Sequence, residues 1–432
     1  MTELKRAIAL PHATALVVGT IIGASIFVQP SEITARVPSI AGVLAVWLVA
    51  GAITLCGALV CAELASTFTR SGGVYVYLSE AFGKPLGFLW GWAMFWVMHS
   101  GIIAAIAVVF ARYAGYLVPL GPTGTRLVAI GTILVLTLVN YFGVRQGSRL
   151  QTWFTAGKLV AVAALVVMGL AWSGSRDTVQ AVAGSWGGGD FIAGVAAGLF
   201  AFGGWHMVTY SAEETVAPAR TIPLALAIGT VLVTAAYLAL NAAYLHVLPL
   251  DRVAQSTRVA ADFAEVIAGP GAGRAISGLV LFSAFGALAG IVLTGPRVYL
   301  AMARDGMLFR WLGEVHPVYR TPHRALLLQA IWSSVLVATG TFRVLFTRVI
   351  YTEWIFFGLL AIGLIRLRQR PDLVRAWSVG GYPWLPVLFA VAAFGVVANE
   401  ILADPAGTAS GLGLVLAGIP VYYLWGKRSR ES

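Results

Sequence analysis

Apolar residues fill this chain in long blocks, at about 12–37, 41–66, 84–117, 125–143, 151–172, 190–212, 223–248, 271–302, 323–340, 345–366, 384–402 and 408–425. A helix needs roughly 20 apolar residues to cross a bilayer, so the pattern predicts about twelve spanning helices with short loops. Two blocks interrupt their own pattern. The first carries Gly19-Thr20-Ile21-Ile22-Gly23-Ala24-Ser25-Ile26-Phe27, and the sixth carries Phe200-Ala201-Phe202-Gly203-Gly204-Trp205-His206. In lipid every backbone group must be satisfied internally, so an unwound turn persists only where it lines a cavity or binds something. Matched breaks in two halves of a chain point to a transporter's substrate site, where half-helix amides hold an anionic group. Close helix packing through small residues is the alternative reading at either break.

The breaks lie five spans apart, the spacing of a five-plus-five inverted repeat. That divides a single transmembrane domain, 1–432, into a first repeat at about 8–172, a second at about 190–366 and two further helices at about 384–425.

Composition agrees with an all-α polytopic membrane protein. The 432 residues are 59% hydrophobic and 11% charged, with a mean hydropathy of +0.85, against about 25% charged residues in soluble domains. The N-terminus runs from Lys5 and Arg6 directly into a full span, without a cleavable signal pattern. Cys56 and Cys61 both fall in the second block, against a disulfide scaffold and against a thiol-bridged partner at an external loop.

The net charge of +11 is a question of loop placement. With the N-terminus inside, eighteen of the 29 lysines and arginines are cytoplasmic, Lys427, Arg428 and Arg430 among them. Eight are external, including Arg176, Arg343 and Arg348, while Arg112, Lys158 and Arg297 lie within spans. The positive-inside bias therefore puts both termini in the cytoplasm, and the surplus charge requires no nucleic acid. The run Arg366-Leu367-Arg368-Gln369-Arg370 reads as a stop-transfer anchor at anionic headgroups, with a regulatory lipid site as the alternative. No phosphate-loop motif or hydrolytic constellation is present, which argues against ATP-driven transport and against an enzyme, and no cofactor or metal ligand set is expected.

Ionisable groups inside spans are functional candidates by default. Lys158, in Thr155-Ala156-Gly157-Lys158 of span five, is too deep to snorkel easily. Its ammonium could replace a metal cation by donating to backbone carbonyls of the turn near Gly23, with Ser283 of span eight as a neighbour, or it could carry a proton. Glu353 on span ten could line a pocket, pair with a cation or carry a proton; an interhelical hydrogen bond is the plain alternative. His99 and His206 are pocket-wall candidates on the same terms. Glu63, Glu213 and Glu214 at the inner ends of spans two and six suit an ion-pair or capping network that closes an inner gate, with Arg297 and Arg304 as partners.

These motifs resemble the amino acid–polyamine–organocation superfamily, and most closely the bacterial relatives of the L-type amino acid transporters. The strongest pieces are Val18-Gly19-Thr20-Ile21-Ile22-Gly23, Ala62-Glu63-Leu64 with Ser71-Gly72-Gly73-Val74-Tyr75, Phe154-Thr155-Ala156-Gly157-Lys158, Phe200-Ala201-Phe202-Gly203-Gly204-Trp205, Ala301-Met302-Ala303-Arg304-Asp305-Gly306 and Glu353-Trp354-Ile355-Phe356-Phe357-Gly358. The resemblance runs from about residue 8 to residue 400 and implies twelve helices, the inverted repeat and alternating access around a central amino acid site.

Carried over, the carboxylate-binding turn falls on Gly23, Ala24, Ser25 and Ile26, with Ile21 beside it. Ala24 and Ser25 depart from the family's usual Gly-Ser-Gly, and the Ser25 side chain narrows the pocket. The amine-binding carbonyls fall on Phe200, Ala201 and Gly203, with Phe200 as gating aromatic. Lys158 stands where sodium-coupled relatives bind a cation, which implies sodium independence. Trp354 and Glu353 match positions bordering the substrate side chain, and His206 replaces a frequent asparagine. The external cysteine that tethers an accessory subunit in eukaryotic members has no counterpart. The expected activity is amino acid transport at the cytoplasmic membrane, by exchange or proton symport. An amine or polyamine permease, a non-transporting sensor and a membrane enzyme remain the alternatives.

Overall fold

A computed structural model describes residues 4–174, 185–340 and 342–431. Arg176 and the side chains of Arg343, Arg348, Lys427, Arg428 and Arg430 lie outside what it describes.

The first apolar block is not one helix. It folds as α1 (Leu10–Ile21), a non-helical Ile22–Ala24, a 3-10 turn (Ser25–Phe27) and α2 (Gln29–Arg36). α3 (Ile40–Thr67) is capped by the Ser39 hydroxyl, which accepts from the Gly42 amide. The short helix α4 (Val74–Phe82) precedes α5 (Lys84–Ala93), which passes through a π-turn at Met94–Met98 into α6 (His99–Leu117). α7 (Pro122–Tyr141) and α8 (Val144–Leu170) complete the first half.

The second half opens with α9 (Gly188–Ala201), broken at Phe202–Gly204 before a 3-10 helix at Trp205–Glu214. α10 (Pro218–Val247) follows, then two short helices, α11 (Leu250–Gln255) and α12 (Val259–Ala268). α13 (Ala272–Thr294) and α14 (Pro296–Arg304) meet at Gly295. The chain ends with α15 (His323–Thr339), α16 (Phe342–Arg368), α17 (Trp384–Ala403), α18 (Pro405–Leu416) and α19 (Gly418–Glu431).

Nine helical stretches among the described residues are long and apolar enough to cross a membrane, and Leu10–Ile21 is a shorter apolar helix. The chain is a multi-pass membrane protein. Large apolar side chains such as Leu48, Leu134, Leu138, Trp153 and Val160 point outward, where lipid replaces water as the solvent.

α1 is the hub. It packs against α8, α10, α13 and the 3-10 helix after the second break, so both interruptions sit in the interior of the bundle. Gly204 fixes how they meet: its φ of +96° suits glycine, and a Cβ there would come within 3.1 Å of the Thr20 carbonyl oxygen. The Thr20 hydroxyl donates to the Gly204 carbonyl at 3.1 Å and ties the two breaks together.

Candidate functional site

At the first break, the carbonyls and the amides have different fates. The Lys158 ammonium donates to the carbonyl oxygens of Gly19 (2.9 Å) and Ile22 (2.7 Å). The Ser283 hydroxyl donates to Gly23 (3.1 Å) and more weakly to Ile22 (3.4 Å). The Tyr237 hydroxyl lies 3.2 Å from the Ile21 carbonyl and 3.1 Å from that of Ala201, bridging both breaks. The amides of Ala24, Ser25 and Ile26, by contrast, donate to no acceptor among the described residues. One side of the turn is capped by a cation and two hydroxyls. The other offers three consecutive N–H groups.

The lysine reaches this position because the helices around it are cut back. Gly286 of α13 faces the lysine stem, with a Cβ there only 2.9 Å from Cε, and Phe154 with Phe282 and Phe285 forms an aromatic wall beside it. Gly19 is equally constrained, since a Cβ would collide with Gln151 and Thr155.

At the second break, the Phe200 carbonyl accepts from the Gly203 amide at 3.1 Å and the Ala201 carbonyl from Tyr237. The Gly203 carbonyl accepts no bond among the described residues. The Phe200 side chain is 40% exposed.

His99, His206 and Glu353 come together. They line one cavity of about 10 Å³ with Trp90, Met94, Met98, Ile102, Met207 and Tyr210, room for about one water. His99 Nε2 donates to the Ile291 carbonyl at 2.9 Å, which fixes its tautomer. His206 Nε2 and Glu353 Oε1 lie 3.5 Å apart. Trp354 does not join them. It packs edge-on against Phe357 and, tilted and at a wider separation, against Phe389, as part of the α16–α17 interface.

A second polar layer closes one end of the bundle. Arg297 pairs with Glu214 at 2.6 Å with both side chains fully buried, and its guanidinium also donates to the Leu293 carbonyl. Arg304 pairs with Glu213 at 2.8 Å. Arg70 spans Glu80 and Asp305, and the Tyr75 hydroxyl donates to Asp305 at 2.9 Å. Burial, reinforced by the Asp305 carboxylate, pushes the Tyr75 phenol well above its usual range, so it remains a donor.

Here the sequence reading needs correcting. Glu63 pairs with Arg368 at 2.6 Å, not with Arg297 or Arg304, and accepts from the Val379 amide at 2.7 Å. The run read as a headgroup anchor therefore holds α3 to α16 through Arg368, while Arg366 lies over the Phe82 ring and Arg370 pairs with Asp372. Both cysteines are free thiols within α3.

Sequence reasoning missed Tyr237, Thr20 and Tyr210. A tyrosine in an apolar run reads as core; the available signal was that a buried phenol seeks a hydrogen-bond partner.

The family model described as amino acid permease matches residues 8–419. A serine/threonine exchanger, SteT, of Bacillus subtilis is 33% identical over 430 residues, covering 98% of each chain. The human large neutral amino acids transporter small subunit 2 is 34% identical over 98% of this chain and 80% of its own length. The human cystine/glutamate transporter is 30% identical over 99% and 87%.

Proposed function

From the premise that the chain belongs to the amino acid permease family, we propose that it is a sodium-independent exchanger of free amino acids, working by alternating access around its two helix breaks. The observation that carries this reading is the first break. Its carbonyls are capped by Lys158, Ser283 and Tyr237, while the amides of Ala24, Ser25 and Ile26 stand open to an anionic group. The α-carboxylate takes those amides, and the α-ammonium takes the Gly203 carbonyl and its neighbours Phe200 and Ala201 across the gap.

Lys158 supplies in fixed form the positive charge that a bound cation would otherwise bring, which supports sodium independence. The remaining parts of the reading are twelve spans in a five-plus-five inverted repeat, residence in the cytoplasmic membrane with both termini inside, and no disulfide-linked accessory subunit. On that orientation the Glu63, Glu213 and Glu214 ion pairs form the closed inner gate. A polyamine would want several carboxylates around it, whereas Glu353 has an imidazole at 3.5 Å.

The test compares amino acids with their methyl esters as competitors of exchange in proteoliposomes. Each charge-assisted hydrogen bond lost with the carboxylate costs about 1.5–3 kcal/mol, so esters should compete far more weakly than the free acids. Equal potency would remove the carboxylate from the amides. Binding without flux would point to a sensor, and a chemically altered substrate to an enzyme.

A further inference from the structure

α13 and α14 meet at Gly295-Pro296 without leaving helical backbone angles, since Gly295 has φ −53° and ψ −46°. Pro296 has no backbone N–H, so the Val292 carbonyl four residues earlier lacks its helical donor. The Gly295 amide reaches the Ile291 carbonyl only at 3.3 Å. Side chains make up the difference. The Val292 carbonyl accepts from Gln329 Nε2 of α15 at 3.3 Å, and that of Ile291 from His99 Nε2 of α6 at 2.9 Å. The next carbonyl, Leu293, accepts from the Arg297 guanidinium. Three consecutive carbonyls are thus capped by side chains from three helices.

Gly295 leaves the notch in which two of these caps sit. A Cβ there would fall 2.2 Å from Gln329 Oε1 and 2.3 Å from His99 Nε2, so any side chain at 295 would displace both. His99 and Gln329 are buried, and a carbonyl freed in mid-membrane has no bulk water to turn to. Two residues beyond the notch, Arg297 meets Glu214 through Nε at 2.6 Å and a terminal guanidinium nitrogen at 2.8 Å, both side chains fully buried. Such a two-pronged pair demands a fixed approach.

We propose that His99 and Gln329 are positioning residues for the inner gate: by capping the carbonyls around Pro296 they hold α14 in the direction that delivers Arg297 to Glu214. The inference rests on the gate reading above and adds to it the side chains that set the gate's geometry. A proline site in a helix is a hinge, because the missing bond and the crowding ring let the two segments bend. Here α6 and α15 clamp that hinge from outside the helix. His99 borders the cavity it shares with Glu353, but its donor is spent on Ile291.

The experiment uses the full chain in proteoliposomes loaded with a labelled mixture of amino acids. Efflux is measured into medium without and with unlabelled amino acids, and the ratio of the two rates is the leak. His99→Leu and Gln329→Leu should each raise the leak about five-fold, the factor that one hydrogen bond is worth. A purely structural role would lower the thermal midpoint and leave that ratio unmoved. His99→Gln restores a donor at the Ile291 carbonyl and should bring the leak back toward the parent's. Pro296→Ala gives Val292 a backbone donor, so in that background Gln329→Leu should change nothing. In Arg297→Met with Glu214→Leu, neither cap substitution should add to the leak, because the pair they aim is gone.

An unchanged ratio in the folded cap variants would overturn the proposal. So would Gln329→Leu leaking equally with and without Pro296, or cap substitutions that add to the loss of the ion pair. Should one cap variant fail to fold, the other decides. If Arg297→Met with Glu214→Leu leaks no more than the parent, the gate reading fails and the proposal with it. If that double variant leaks while the cap variants do not, the positioning role alone fails.

Discussion

Replacing Lys158 with alanine strips the ammonium from the Gly19 and Ile22 carbonyls, at 2.9 and 2.7 Å. Hydrogen bonds to a charged group contribute about 1.5–3 kcal/mol each, so the gross loss is about 3–6 kcal/mol. The variant is also relieved of burying an ammonium, a penalty of several kcal/mol per ion. The two terms are of similar size, so overall stability should change little. Local order should change a great deal. The Gly19 carbonyl loses its side-chain donor, and Ile22 keeps only Ser283 at 3.4 Å.

The expected result is a variant whose thermal midpoint is close to the parent's but whose exchange falls at least ten-fold, about 1.4 kcal/mol in the barrier. The assay is uptake of labelled amino acid into proteoliposomes preloaded with unlabelled substrate, in sodium and in choline media. Lys158→Met separates charge from bulk: it fills the space beside Phe154 and Gly286 but donates nothing, and should be as impaired as alanine. Normal exchange in either variant would refute the cation's role, and a sodium requirement in the parent would refute sodium independence. Accumulation driven by a proton gradient into vesicles empty of substrate, lost in Lys158→Ala while binding is retained, would replace exchange with symport.

Ser25 projects a partly exposed side chain from the turn that offers the three amides. Ser25→Gly should widen the pocket and raise uptake of phenylalanine- and tryptophan-sized amino acids relative to alanine; unchanged selectivity would mean that the serine points away from the substrate. Removing one partner of the fully buried Arg297–Glu214 pair should cost about 3–5 kcal/mol by stranding the other charge. Arg297→Ala should therefore lower the detergent-solubilised thermal midpoint, and the double variant Arg297→Met with Glu214→Leu should recover most of it; additive losses would contradict this account.

The helix breaks were legible because small residues cluster mid-span in two blocks five spans apart, a coincidence that helix packing alone does not require. Lys158 was legible for a similar reason: a cation at that depth must find acceptors, and an unwound turn is where acceptors are exposed. The Glu63–Arg368 pair was not legible, because charges at a span end look alike whether they meet headgroups or a partner some 300 residues away in sequence. The short helices α4, α11 and α12 escaped notice among long apolar blocks. Trp354 sits beside Glu353 in sequence but packs toward Phe357 and Phe389 rather than into the His99–His206–Glu353 cavity, since neighbours on a helix do not share a direction.

Tyr237 marks the limit of such reading, and it ties the two breaks together. Its hydroxyl lies 3.2 Å from Ile21 and 3.1 Å from Ala201, one carbonyl from each interrupted helix. A single proton cannot serve both oxygens at full strength, so the phenol couples the breaks without locking either. Thr20 to Gly204 supplies a second link of the same kind. Among the described residues, the backbone groups left open at the breaks are the Ala24, Ser25 and Ile26 amides and the Gly203 carbonyl. Donors on one break and an acceptor on the other would suit a zwitterion, whose ammonium nitrogen is one bond and whose carboxylate oxygens are two bonds from a shared carbon, better than a simple amine or a simple acid.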